Sequence, residues 1–251
     1  MKFSLLSLHF LILTSVLFPQ EELFDDPQQT SYGFELAPQT KYLWRGLSLD
    51  DGFVVQPDAW ISWNNLTFEI WGNIAVFDKS TYDTTKNHEL DIYLYYTYQP
   101  GDQISITPAL NFYSYPNQEE SPATIELSLK AELALGKYFN FVNDISADIW
   151  NYKGLAYGLH LLEFSNTLFE ETEYKITAGF GWANKKFNED LIGISKMSVN
   201  YFHFGAEVSI PYKENFELVP FTEYQLIAPK DFRNIIGSNF FNIGLKLQAA
   251  F

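Results

Sequence analysis

The chain of 251 residues has no cysteine, which removes disulfides, a lipid-anchored cysteine and thiolate metal sites from consideration. Bases are scarce as well: 16 Lys and Arg stand against 31 Asp and Glu, a formal charge of −15. Such a surplus repels phosphate backbones, so nucleic acid is not an expected partner. Long apolar runs are also missing. After Gln20 every hydrophobic stretch is broken by a polar residue within a few positions, whereas a spanning helix needs roughly eighteen apolar residues in succession. A helical membrane protein is excluded. Glycine-rich phosphate loops are absent, and no cofactor is implied.

What is present begins with Lys2 and the apolar run Phe3 to Phe18, which suits the core of an export signal better than a spanning helix. Leu17, Phe18 and Pro19 crowd the cleavage site, and no small-x-small pattern precedes Glu21. The expected organisation is a signal peptide at 1–20, a periplasmic tail at 21–31 and an outer-membrane barrel at 32–251. The acidic run Glu21, Glu22, Asp25 and Asp26 reads as a solvated tail rather than a calcium site.

From Tyr32 onward the polarity alternates with a period of two. Leu66, Phe68, Ile70, Gly72, Ile74 and Val76 share one face, with Thr67, Glu69, Trp71, Asn73 and Ala75 on the other. Ile125, Leu127, Leu129, Ala131, Leu133 and Leu135 likewise oppose Glu126, Ser128, Lys130 and Glu132. Apolar residues do not recur at spacings of three and four, as a helix would require. The pattern predicts strands near 32–48, 53–64, 66–77, 88–98, 103–115, 122–135, 137–150, 155–168, 171–183, 195–210, 214–227 and 237–251. In 195–210 and 214–227 the alternation slips phase once, as a bulge would make it do.

The predicted connections alternate between tight turns, such as Asn64-Asn65 and Gly136, and longer loops at 78–87, 116–121, 184–194 and 228–236. The loops at 49–52 and 151–154 are short for the long side. Bacterial outer-membrane barrels show this asymmetry, with short periplasmic turns and an even strand number. A transmembrane antiparallel up-and-down β-barrel of about twelve strands, ten to fourteen being allowed, is therefore the expected fold.

A soluble β-sandwich or lipocalin-like barrel would also alternate. The export signal, the loop asymmetry, an aromatic content of 18% and the final strand favour the membrane. In that strand Ile243, Leu245, Leu247, Ala249 and Phe251 fall on one face. Phe251 then reads as the terminal signal for the barrel assembly machinery, with outer-membrane lipid as the surrounding partner.

The opening segment Lys41-Tyr42-Leu43-Trp44-Arg45-Gly46, the segment Ile70-Trp71-Gly72-Asn73 and the segment Glu89-Leu90-Asp91-Ile92-Tyr93 resemble stretches of the TorF-like porin family, over about residues 31–98. Thr40 stands where that family has Ser, and the long loops have no counterpart in it. The resemblance implies an exported barrel with a channel role and gives no catalytic residue.

If apolar residues face lipid, the opposite face carries Arg45, Glu69, Glu89, Asp91, Glu126, Lys130, Glu132, Asp144, Asp148, Glu173 and Lys175 into the lumen, because a charge facing lipid is costly. Carboxylates outnumber bases among them, which predicts a weak preference for cations. Arg45 is the candidate constriction residue: its planar guanidinium clamps carboxylates with two hydrogen bonds, and Glu69, Glu89 and Asp91 lie on nearby predicted strands. The alternative for Arg45 is an ion pair that only braces the barrel.

An enzyme is not expected. An outer-membrane phospholipase would need His and Ser together near the rim, but His160 and Ser165 are five residues apart and so face opposite ways. His203 has no partner at metal-ligand spacing. The leading expectation is passive passage of small hydrophilic solutes across the bacterial outer membrane. A plugged, non-conducting barrel whose loops bind a partner is the alternative, with a lipid-modifying enzyme behind it.

Overall fold

The computed structural model describes residues 29–76, 88–116, 118, 121–169 and 171–251. The expected signal at 1–20, tail residues 21–28 and the 78–87 loop lie outside them. The chain opens with β1 (Thr30–Gln39), β2 (Tyr42–Trp44), β3 (Leu47–Asp50), β4 (Val54–Trp63), β5 (Leu66–Ala75) and β6 (Glu89–Tyr96). It goes on through β7 (Tyr98–Gly101), β8 (Ile104–Ser114), β9 (Thr124–Ala134), β10 (Phe139–Asp148), β11 (Ala156–Thr167) and β12 (Glu173–Ala183). Helix α1 (Lys185–Ile192), β13 (Ser198–Lys213), β14 (Phe216–Ile227), helix α2 (Lys230–Ile236) and β15 (Asn239–Ala250) complete it.

Every wall strand is antiparallel to its neighbours, and β7 continues β6 past Thr97. The sheet closes where β6 pairs with β8 and β1 pairs with β15 in the register Gly33↔Ala250 and Leu36↔Leu247. The result is a closed twelve-stranded barrel. Closure satisfies the backbone N–H and C=O groups internally, the condition for crossing hydrocarbon with strands. The outer face is apolar: Phe34, Phe68, Ile70, Leu129, Ile176 and Phe204 are all exposed. At the short-turn end Tyr32 stacks on Phe251 at 5.4 Å and Phe216 meets Phe251 edge-on, part of the aromatic belt expected at a membrane interface. The tight turns at this end use Asn64 and Asn215 at positive φ, which asparagine tolerates better than most residues.

Two features differ from the sequence expectation. The predicted opening strand 32–48 is not one wall strand. The wall part ends at Gln39, and 42–50 form the separate β2–β3 hairpin. Asn242 on β15 redirects the chain, accepting hydrogen bonds from the Thr40 hydroxyl (3.0 Å) and the Lys41 N–H (3.1 Å) while donating to Gln39 (2.9 Å). Arg45 and Gly46 then both adopt positive φ, 51° and 87°, the signature of a two-residue type I′ turn. The connection between β1 and β4 thus runs over 40–53, so the expected short loop at 49–52 is the end of a long one.

The loops at 184–194 and 228–236 contain the helices instead of irregular chain. Asn184 caps α1 by accepting the Phe187 N–H at 2.9 Å, and Gly193 ends it in a left-handed conformation. The phase slip in β13 falls at the pairing shift between Gly181 and Trp182, which leaves Asn200 to donate to Asn188 of α1 at 2.7 Å. Both helices lie at the long-connection end. There Phe187, Ile192 and Phe232 join Leu47, Leu155, Tyr157, Tyr201 and Ile227 in an apolar core that caps part of the barrel. Lys196 ties the helices' surface together by donating to Asp231 at 2.6 Å, which holds that carboxyl below its usual range.

A Cβ at Gly46 would lie 2.7 Å from Cδ1 of Tyr201 at a φ that L residues avoid. Gly46→Ala should therefore loosen the docked hairpin by about 1–2 kcal/mol. The change should appear as faster protease cleavage within 42–50 in the refolded barrel; unchanged cleavage would contradict the tight turn packed on Tyr201.

Candidate functional site

The β2–β3 hairpin folds into the barrel instead of standing above it, and its contacts reach several walls. Its turn places Arg45 beside Glu126 of β9, with Nη1 to Oε1 at 2.7 Å and Nη2 to Oε2 at 2.6 Å. The guanidinium also sits over the rings of Trp44 (4.6 Å) and Tyr157 (4.8 Å). Tyr42 donates to Glu89 of β6 at 2.7 Å. Leu47 enters the apolar core with Tyr157 and Tyr201, whose hydroxyls are 2.5 Å apart, and Trp44 stacks on Phe187. The hairpin therefore narrows the lumen at the long-connection end.

The predicted lumen residues separate into groups. Arg45 does meet a carboxylate bidentately, but its partner is Glu126 and not Glu69, Glu89 or Asp91. Glu89 and Asp91 are buried beside it, Asp91 accepting from Tyr93 at 2.6 Å. Glu69 lies lower and accepts from Tyr95 at 3.0 Å. Lys130 pairs with Glu132 at 2.9 Å, and Asp144 shares a cavity with them. Asp148 accepts hydrogen bonds from Thr124 and from the N–H groups of Trp150 and Tyr152, so it caps the 149–155 connection. Glu173 is exposed at the start of β12, near the short-turn rim. Lys175 pairs with Glu207 at 2.6 Å.

Below the hairpin the lumen holds at least two cavities. The larger, about 460 Å³, is bounded by Arg45 and Tyr157 at one end and by Thr97, Thr107 and Glu132 towards the short turns. The smaller, about 210 Å³, is lined by Lys175, Glu207, Lys246, His203 and Glu223. Of this second cluster the sequence pattern places only Lys175 in the lumen. Glu207 bridges Lys175 and Lys246, and His203 lies 3.3 Å from Glu223 on the adjacent β14 and 3.1 Å from Thr177. Cross-strand register creates these pairs, and spacing along the chain does not reveal it. His160 faces outward beside Phe180 and accepts from the Trp182 indole at 2.9 Å, while Ser165 lies on the inward side of β11.

No protein-family model matches the chain, and no curated protein matches it either; the expected TorF-like membership is therefore without a match. Solved structures do match the fold. The KdgM porin, seen in complex with disordered oligogalacturonate, aligns at 10% identity with a TM-score of 0.55, over 88% of this chain and 99% of its own. An outer-membrane channel from Pseudomonas putida F1 aligns at 10% identity and 0.54, over 93% and 100%. LpxR from Salmonella typhimurium, a lipid-modifying enzyme, aligns at 11% and 0.53, over 87% and 99%. At such identities the likeness establishes the barrel fold, which channels and an enzyme share.

Arg45 and Glu126 have side chains only 11% and 6% exposed. Arg45→Ala would leave a buried carboxylate without its counter-ion, a cost of about 3–5 kcal/mol, whereas replacing both partners by apolar residues costs far less. The urea midpoint of the vesicle-inserted barrel should fall strongly in Arg45→Ala and recover in Arg45→Met with Glu126→Leu. Equal losses in both would show that the pair's charges are not what matters.

Proposed function

We propose that the chain is an outer-membrane channel for passive diffusion of small hydrophilic solutes, with its narrowest point at the hairpin and a weak preference for cations. The observation that carries this reading is the polar, carboxylate-rich lumen with two cavities inside an apolar-surfaced closed barrel. Fixed negative charge on a narrow, partly low-dielectric wall raises the local concentration of cations and opposes anions. The fold neighbours that are channels support passage in general. Their solutes do not carry over, because a likeness at about a tenth identity is one of fold alone.

The barrel would sit in the bacterial outer membrane with the short turns and both termini on the periplasmic side, in keeping with the asymmetry of its connections. Phe251, on the lipid-facing side of the last strand, is then placed for recognition by the assembly machinery. Of the two longest predicted loops, which the partner-binding alternative would use, 184–194 is largely helix packed on the apolar core, and 78–87 lies outside the described residues.

The test is planar-bilayer recording of the refolded full chain in a salt gradient. Cation-selective steps are expected, and Arg45→Ala should enlarge them by releasing the tip of the hairpin. Silence from correctly folded wild type and variant alike would remove the channel reading and leave a plugged barrel.

A further inference from the structure

The larger cavity has a chemical bias that its shape alone does not show. Its charged and phenolic groups each have a partner. Arg45 gives both terminal nitrogens to Glu126, and Lys130 gives its ammonium to Glu132. Tyr93 donates to Asp91, Tyr95 to Glu69 and Tyr113 to Glu126, while Tyr157 shares a hydrogen bond with Tyr201. Acceptors remain in surplus. Glu69 receives a hydrogen bond on one oxygen only, and Asp144, which stands opposite Lys130 across β9 and β10, receives none among the described residues, although both line the cavity. Arg45 and Lys130 together face Glu126, Glu132, Asp144 and Glu69, so the net charge around the cavity is negative.

Those committed phenols also fix the rings. Trp71, Tyr93, Tyr95 and Tyr113 line the space, with Tyr93 and Tyr113 edge to face at 6.1 Å. Fixed aromatic faces together with unneutralised carboxylates attract a cation with an apolar surface. The protein already contains one instance of this chemistry at the cavity's roof, where the Arg45 guanidinium is held over the Trp44 and Tyr157 rings and capped by Glu126. A volume of about 460 Å³ falls within the range of small-molecule sites. The net negative lining repels an anion, and a neutral sugar would leave the surplus negative charge without a counter-ion.

We propose that this cavity is a binding site for a small organic ammonium ion, held by the aromatic faces of Trp71, Tyr93 and Tyr95 and by the carboxylates of Glu69 and Asp144. The site gives the solute class of the channel proposed above and rests on that reading.

The experiment is calorimetric titration of the refolded full chain in detergent with choline chloride, against glucose and sodium gluconate, run beside bilayer recordings with choline as the cation. Saturable choline binding is expected, with gluconate and glucose giving none. Asp144→Asn and Glu69→Gln should each weaken it by about tenfold. Both remove charge while preserving size, and each preparation is checked for the folded barrel by its heat-modifiable gel migration, so either variant serves if the other does not fold. Choline binding no better than glucose, gluconate binding as well as choline, or folded variants that bind choline unchanged would each overturn the site. Currents without saturable choline binding remove the site and keep the channel, whereas binding without current keeps the site and removes the channel.

Discussion

The whole arrangement follows from where charge is allowed to go. A wall strand in a bilayer presents every second side chain to hydrocarbon, and a carboxylate or ammonium there costs a few kcal/mol near the midplane. The chain spends its outer positions on residues such as Leu127, Leu129 and Ile176, so the ionic groups of the wall converge on one lumen. Twelve strands enclose too little space for those groups to stay apart. Carboxylates therefore take neighbouring phenols as donors, as in Tyr42 to Glu89, Tyr93 to Asp91 and Tyr95 to Glu69, and the few bases are drawn into pairs. The tyrosine richness of the chain is in this sense a consequence of its acidity: a phenol satisfies a buried carboxylate oxygen without adding charge, and its ring fills volume that a serine would leave to water.

How much of this was legible in the sequence depended on the range of the interaction. The alternation in 66–76 and 125–135 reports a local property, the period of a strand, and it placed β5 and β9 within a residue or two. The strand number followed from the same signal. The hairpin escaped because 42–50 is also extended and continues the rhythm of β1. What separates it is the turn at Arg45-Gly46, where Gly46 is the visible sign although it sits inside a stretch whose alternation predicts a strand. The short helices escaped for a different reason: eight and seven residues are too few for a helical period to stand out, although Asn184 before and Gly193 after α1 mark its ends. Arg45 was legible as a residue that would seek a carboxylate. Its partner was not, because Glu126 lies 81 positions away and is brought close by the inward fold of the hairpin, a tertiary fact absent from any local window.

The hairpin is held by two kinds of contact. Towards the long-connection end Leu47 and Trp44 pack against Phe187, Tyr157 and Tyr201, and this apolar attachment is little affected by salt. At the turn the hold is ionic, Arg45 against Glu126, in a site open on one side to a cavity. Dissolved ions that enter the lumen screen so buried a pair far less than an exposed one. A buried pair of this kind is a poor source of net stability compared with apolar packing, so its value here lies in direction. The fork of the guanidinium accepts one orientation of one carboxylate, fixing the turn at a defined height in the lumen. The apolar root decides that the hairpin lies inside, and the ion pair decides how much of the lumen its tip leaves open.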